Sequence, residues 1–155
     1  MKTIRQIDLA PEWRSLTAAA QEARQRAYAP YSGFGVGAAL RMADGRIRTG
    51  CNIENASYGL TVCAERVAIW GAVAEGDPTP VALAVASQTG AMPCGACRQV
   101  LLEFAPALPV LVVDDVGNAW ITSVRELLPA SFSQEQLTPA PASAAQIAAG
   151  SKSDE

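Results

Sequence analysis

The sequence predicts an α/β fold, a three-layer α/β/α sandwich around a central mixed sheet of about five strands. Apolar residues recur at helical spacing near the N-terminus, and short β-branched runs further on are typical of buried strands. Helix and strand patterns then alternate, which favours helices on both faces of one sheet. A chain of 155 residues, half of them hydrophobic, can fill a single core of this kind.

The N-terminal half is predicted to contain a helix, a hairpin and a second helix. Trp13, Leu16 and Ala20 begin an amphipathic stripe, which Pro30 limits because proline disfavours helical geometry in the residue before it. Strands 36–42 and 46–53 flank a turn at residues 43–45. Residues 63–75 are almost wholly apolar and indicate a buried helix ending at Gly76.

The C-terminal half continues the alternation. Runs 81–87 and 109–115 indicate buried strands, and a helix between them is predicted to run from Pro93 to about Phe104. A turn is predicted at Gly117, followed by another strand at residues 119–124. Ser123 then has capping-box spacing from Glu126, which predicts a short helix through residue 128.

Residues 1–137 are expected to form a single domain, and 138–155 a disordered tail, because Ala, Pro and Ser dominate there and aromatics vanish. No apolar run approaches the roughly 20 residues of a membrane-spanning helix. The first residues lack the apolar core of a signal peptide, so we expect a cytoplasmic protein with no membrane partner.

Composition narrows the classes of function. The net charge is −3, with 12 basic and 15 acidic residues, and no dense basic face is apparent, which argues against a nucleic-acid partner. A single nucleoside remains compatible with this charge. The chain has no histidine, which excludes Ser-His-Asp and Cys-His nucleophiles and leaves thiolates or carboxylates as zinc ligands.

Cys94 and Cys97 are the first candidate metal ligands. Their spacing of three places both sulfurs on one side of a first helical turn, where the helix dipole favours thiolates. This pair alone also fits a redox dithiol, half of a zinc ribbon or a coincidence of sequence.

Cys63 and Glu65 strengthen the case for zinc. Cys63 adds a third thiolate at the start of the other central helix, and three protein ligands leave a fourth position open, as in catalytic rather than structural sites. Glu65 interrupts an apolar helical face and is predicted to be the proton carrier, with a pKa raised by burial. Alternatively, Arg66 or the helix start simply holds this carboxylate. Cys51 is predicted to be a core residue.

Longer motifs resemble a known family. GCNIENASYG at 50–59, CAER at 63–66 and PCGACRQVL at 93–101 are similar to the small homotetrameric zinc-dependent cytidine deaminases. The stretches 28–40 and 126–132 resemble the same family, and the likeness extends from about residue 12 to 134.

The resemblance implies one zinc ion per chain, held by Cys63, Cys94 and Cys97, with Glu65 carrying protons during hydrolytic deamination of cytidine and 2′-deoxycytidine in pyrimidine salvage. It also implies a homotetramer with shared active sites. The matching substrate-binding positions are Phe34 on the base, Asn52 and Glu54 on the ribose, Ala64 on the pyrimidine carbonyl, and Tyr58 and Phe132 reaching in from a neighbouring subunit.

Three other functions stay open. A deaminase of aminoacyl-nucleoside antibiotics would share the zinc core, although Asn52, Glu54 and Phe34 favour the simple nucleoside. Deaminases of nucleotides or RNA commonly use a histidine ligand, which this chain lacks. A zinc-stabilised binding module would need a fourth protein ligand.

The charge of three thiolates gives a further expectation. Three thiolates outweigh one Zn²⁺, so a nearby cation would keep the zinc an effective Lewis acid. Arg66 and Arg98 both adjoin ligand motifs in the sequence, and Arg66 is the preferred candidate.

Overall fold

A computed structural model describes residues 1–137, and the predicted tail at 138–155 lies outside these residues. The strands are β1 (Lys2–Arg5), β2 (Val36–Met42), β3 (Ile47–Cys51), β4 (Pro80–Ser87), β5 (Pro109–Val113) and β6 (Asn118–Ser123). The helices are α1 (Pro11–Arg24), α2 (Ala64–Ala74), α3 (Gly95–Phe104) and α4 (Val124–Leu127). No helix within 1–137 is long and apolar enough to cross a membrane.

The predicted mixed sheet is confirmed, with six strands instead of about five. Their order is β1-β6-β5-β4-β2-β3, with β4 and β5 parallel and the other pairs antiparallel. The additional strand is β1, which pairs with β6 at the sheet edge. Its sequence KTIR has little apolar periodicity, and none of its side chains is buried. Backbone pairing with β6, which a local pattern cannot reveal, therefore accounts for this strand.

Helices cover both faces of the sheet, as the alternation predicts. One core packs α1 against the sheet through Leu16, Ala20 and Ala39. The other core joins α2 and α3 to the opposite face through residues such as Ile69 and Leu101. The site helices α2 and α3 therefore share one layer.

Two glycines set how closely the helices approach the sheet. A Cβ added at Gly50 would lie 2.5 Å from the Ala64 carbonyl oxygen and 2.6 Å from the Ala68 nitrogen, both in α2. A Cβ added at Gly37 would lie 2.5 Å from the Arg24 nitrogen in α1. Backbone-to-helix contacts this tight exclude any side chain, so Gly50 fixes β3 against the first turn of α2.

The predicted boundaries shift by a few residues. Helix α1 ends at Arg24, α3 begins at Gly95 instead of Pro93, and β5 ends at Val113. The Ser123 Oγ accepts from the Glu126 N–H at 3.3 Å, which confirms the predicted cap. Glu126 does not complete a capping box, because its carboxylate accepts from the Thr122 hydroxyl at 2.7 Å.

Candidate active site

The starts of α2 and α3 meet at one edge of the sheet. Strands β3 and β4 run in the same direction because each is antiparallel to β2, so both end at this edge. The segment after β3 leads into α2, and the segment after β4 leads into α3. Cys63 caps α2 and Cys94 caps α3, both in extended backbone geometry. The fold thus brings together two helix N-termini, whose dipoles favour negative charge.

Three sulfurs cluster at these helix starts. The Sγ atoms of Cys63, Cys94 and Cys97 lie within 4.8 Å of one another. Cys63 and Cys94 are separated by 3.8 Å, and Cys94 and Cys97 by 3.5 Å. Tetrahedral zinc with Zn–S bonds of about 2.3 Å places its sulfur ligands about 3.8 Å apart. The donor set and its spacing therefore fit zinc, and within residues 1–137 no fourth His, Cys, Asp or Glu belongs to this cluster.

The cluster is also suited electrostatically to a cation. Hydrogen bonds from the Cys97 thiol and from Arg66 lower the pKa of Cys63 to about 5. The pKa of Cys97 is raised instead, chiefly by its hydrogen bond to Cys63 and by burial. The thiols of Cys63 and Cys97 titrate as a pair, because a second thiolate beside the first is costly unless a cation binds. A divalent metal ion would offset two of the three thiolate charges and leave one negative charge.

Glu65 lies in the first turn of α2, beside the cluster. Its side chain is only 4% exposed. Burial, together with the neighbouring Cys63 thiolate, raises the pKa of Glu65 above its usual range. A raised pKa moves a carboxyl group towards the neutral range in which general acid–base chemistry operates.

Arg66, and not Arg98, contacts the sulfurs. The Arg66 Nη2 lies 3.6 Å from the Cys63 Sγ and 3.2 Å from the Thr61 carbonyl oxygen. The guanidinium also lies over the Trp70 ring, 5.6 Å from its centroid. Arg98 instead donates to the carbonyl oxygens of Pro93 at 2.6 Å and Leu127 at 2.7 Å.

Asn52 and Glu54 follow β3 and hold the segment before β2. The buried Asn52 amide accepts from the Val36 N–H at 2.8 Å and donates to the Phe34 carbonyl at 2.9 Å. The Glu54 carboxylate accepts the Tyr31 N–H at 2.8 Å. Both side chains therefore line the same edge as the half-buried Phe34.

Comparisons with known proteins agree with this geometry. Residues 12–112 match the model of the cytidine and deoxycytidylate deaminase zinc-binding region. A cytidine deaminase of Sporosarcina psychrophila is 48% identical over 126 residues, covering 79% of this chain and 93% of that protein. The chain belongs to the cytidine deaminase family.

Solved structures of family members share the fold. The cytidine deaminase of Burkholderia pseudomallei superposes with a TM-score of 0.75 at 48% identity, covering 77% of this chain and 98% of the other. That of Mycobacterium tuberculosis gives a TM-score of 0.69 at 42% identity, covering 80% and 99%. The protein is accordingly a zinc-dependent deaminase, with the thiolates of Cys63, Cys94 and Cys97 available for the metal.

The remaining residues that the sequence singled out differ in how deeply they are buried. Ala64 is buried as the first residue of α2, so its N–H has no partner within the helix. Tyr58 and Phe132 are exposed by 74% and 57%. The Tyr58 ring centroid lies 5.7 Å from that of Tyr31. Cys51 is half-buried and donates to the Arg26 carbonyl at 3.3 Å, so it is not the core residue predicted.

Two hydrogen bonds that involve predicted site residues have no signature in the sequence. The Ser32 hydroxyl donates to Glu54, and the Gln99 side chain donates to the Phe132 carbonyl at 2.9 Å. Ser32 lies in the stretch 28–40 that resembles the family, but a serine in a turn has no pattern that distinguishes this use from ordinary capping.

Proposed function

We propose that this deaminase hydrolyses cytidine and 2′-deoxycytidine to the corresponding uracil nucleosides and ammonia, as in pyrimidine salvage. The proposal depends chiefly on one observation, the buried Glu65 carboxyl group beside three clustered thiolates at the start of α2. Relatives named cytidine deaminase, 48–50% identical over 119–126 residues, support the choice of substrate.

Glu65 is proposed to move the protons of the reaction. The sulfurs of Cys63, Cys94 and Cys97 would hold the zinc ion, which would supply an acidified water molecule as the nucleophile for C4 of cytosine. The Glu65 carboxylate accepts a proton from the attacking water and delivers it to N3 of the base. It then takes the remaining proton of the hydroxyl group added at C4 and gives it to the leaving amine, which departs as ammonia. Its burial keeps bulk water away, and its raised pKa suits both accepting and donating.

The neighbouring residues are proposed to position the nucleoside. Phe34 packs on the base, and the free Ala64 N–H at the start of α2 meets the pyrimidine carbonyl. Asn52 and Glu54 bind the ribose hydroxyls. The Asn52 amide has one N–H left after its contact with Phe34, and the Glu54 carboxylate retains acceptor capacity.

We further propose a cytoplasmic homotetramer with shared active sites. The exposed rings of Tyr58 and Phe132 would reach a neighbouring subunit's site, which accounts for large aromatic side chains at the surface. A reducing compartment suits three free thiols within 4.8 Å of one another.

Loss of cytidine absorbance, followed spectrophotometrically, tests the function. We expect one zinc per chain, and joint loss of zinc and activity when a chelator is added at low pH, where thiolates protonate. Activity should return on adding Zn²⁺. Active protein without zinc, or zinc-loaded protein without turnover of cytidine, would refute the proposal.

Phe132→Ala tests the shared site. If Phe132 completes a neighbouring subunit's binding pocket, the variant should raise KM several-fold although residue 132 is far from the zinc ligands in sequence. The control is Val116→Ala, which trims a 72%-exposed apolar residue in the β5–β6 turn and should leave KM unchanged. Light scattering gives the oligomeric state, and a fully active monomer would contradict the proposal.

A further inference from the structure

The Ser32 hydroxyl connects two residues proposed to bind the substrate. Its Oγ accepts the Phe34 N–H at 3.0 Å and donates to the Glu54 Oε1. A hydroxyl has a single hydrogen, so this donation commits it to the carboxylate. A continuous hydrogen-bonded path thus runs from the Phe34 backbone, through Ser32, to Glu54.

The rest of the Glu54 carboxylate is held from the same turn. Its Oε2 accepts the N–H of Tyr31 at 2.8 Å and the N–H of Ser32 at 3.2 Å. Together with the hydroxyl, three donors from two consecutive residues fix both carboxylate oxygens. Hydrogen bonds to a charged acceptor are stronger than neutral ones, so this arrangement defines the direction of the carboxylate.

Ser32 has no comparable part in the core. Residues 31 and 32 are exposed, and they border a cavity of about 200 Å³ together with Glu54, Tyr58 and Thr61. Deleting the hydroxyl would remove no buried apolar contact. Its consequence should therefore be felt by Glu54 and Phe34 more than by the stability of the fold.

We propose that Ser32 is a positioning residue for the deaminase reaction. Its hydroxyl holds the carboxylate that binds the ribose at a fixed place relative to the residue that packs on the base. The inference rests on the proposed function, in which Glu54 and Phe34 contact the nucleoside. Pre-orienting a flexible carboxylate before substrate arrives lowers the entropic cost of binding.

The alternative role is an ordinary serine turn, in which the hydroxyl stabilises only its own loop. A turn of that kind would act independently of the Glu54 charge. A positioning role instead predicts that the two side chains are coupled, which a double-mutant cycle measures directly.

The experiment compares Ser32→Ala, Ser32→Thr, Glu54→Gln and the double variant Ser32→Ala/Glu54→Gln in the zinc-loaded protein. Ser32→Ala should raise KM for cytidine roughly tenfold with a smaller change in kcat, which is the size of losing a hydrogen bond to a charged group. Ser32→Thr keeps a hydroxyl and should stay within about threefold of wild type. In the Glu54→Gln background, Ser32→Ala should change KM less than about twofold.

Ser57→Ala, in the neighbouring loop, is the matched control and should leave KM unchanged. Binding of the product uridine, measured by calorimetry, provides a readout that does not need turnover. Wild-type protein that binds uridine without deaminating cytidine would refute the proposed function while still testing Ser32. Ser32→Ala with unchanged KM and uridine affinity, or with equal losses in both backgrounds, would overturn the positioning role.

Discussion

Glu65→Gln is expected to abolish turnover while the protein keeps its fold and its zinc. The amide has nearly the shape of the carboxyl group but cannot carry a proton between water, N3 and the leaving amine. Each proton transfer is typically worth about 10²–10⁴-fold in rate, and Glu65 serves more than one, so kcat should fall by several orders of magnitude. Zinc content by metal analysis should remain one per chain, because the three sulfurs are untouched.

Stability gives an independent check on the same variant. Burial raises the pKa of Glu65 in the folded protein. Ionisation of this group therefore lowers the free energy of unfolding once the pH rises above the pKa that Glu65 has in the unfolded chain. An uncharged glutamine removes that cost, so thermal stability at neutral pH should not decrease. Glu75→Gln makes the same change at the opposite, exposed end of α2 and should leave kcat unaltered. A Glu65→Gln protein within tenfold of wild-type kcat would remove this residue from the mechanism.

The cluster of three cysteines was predictable because its signals are local. Cys94 and Cys97 share one helical turn, and Cys63 precedes Glu65 in the first turn of another helix, so each spacing fixes its own geometry. The alternation of apolar runs likewise predicts the sheet and its two covered faces. The two helix starts form one site because β3 and β4 run in the same direction. The order of the elements along the chain is compatible with this direction but does not establish it.

Non-local contacts account for what the sequence could not predict. Strand β1 exists through pairing with β6 across more than a hundred residues. In the sequence, Gly50 looks like any other glycine in a strand. Its close approach to α2 becomes apparent only when the position of the helix is known. Cys51 was predicted to be buried from the general tendency of free cysteines, yet it lies half-buried near the end of β3.

Which of the two arginines, Arg66 or Arg98, lies beside the cysteine sulfurs also depends on contacts between residues distant in the sequence. Each arginine directly adjoins a ligand motif, so charge counting alone cannot separate them. The structure places the Arg66 guanidinium against the Cys63 sulfur, whereas backbone carbonyls of residues 93 and 127 engage Arg98. The thiolate and the guanidinium stabilise each other's charge, which raises the pKa of Arg66 and keeps it protonated.

Arg66→Gln is therefore expected to slow the enzyme and move its pH–rate profile to higher pH. Three thiolates and one Zn²⁺ leave a net negative charge, which Arg66 offsets at 3.6 Å from the Cys63 Sγ. Without this cation, zinc is a poorer Lewis acid and the pKa of its water rises. The acid limb should then shift upwards, and kcat should fall by about 10–100-fold, as for other residues that support metal ligands.

Arg98→Gln separates this effect from a general loss of packing. It removes the same charge from the helix that carries the other two cysteines, but the lost contacts are hydrogen bonds to carbonyl oxygens. We expect it to lower thermal stability while its kcat stays within about threefold of wild type and its acid limb stays in place. Both variants should retain zinc at neutral pH. A normal kcat and an unmoved acid limb in Arg66→Gln, or an equal shift in Arg98→Gln, would show that Arg66 does not tune the metal site.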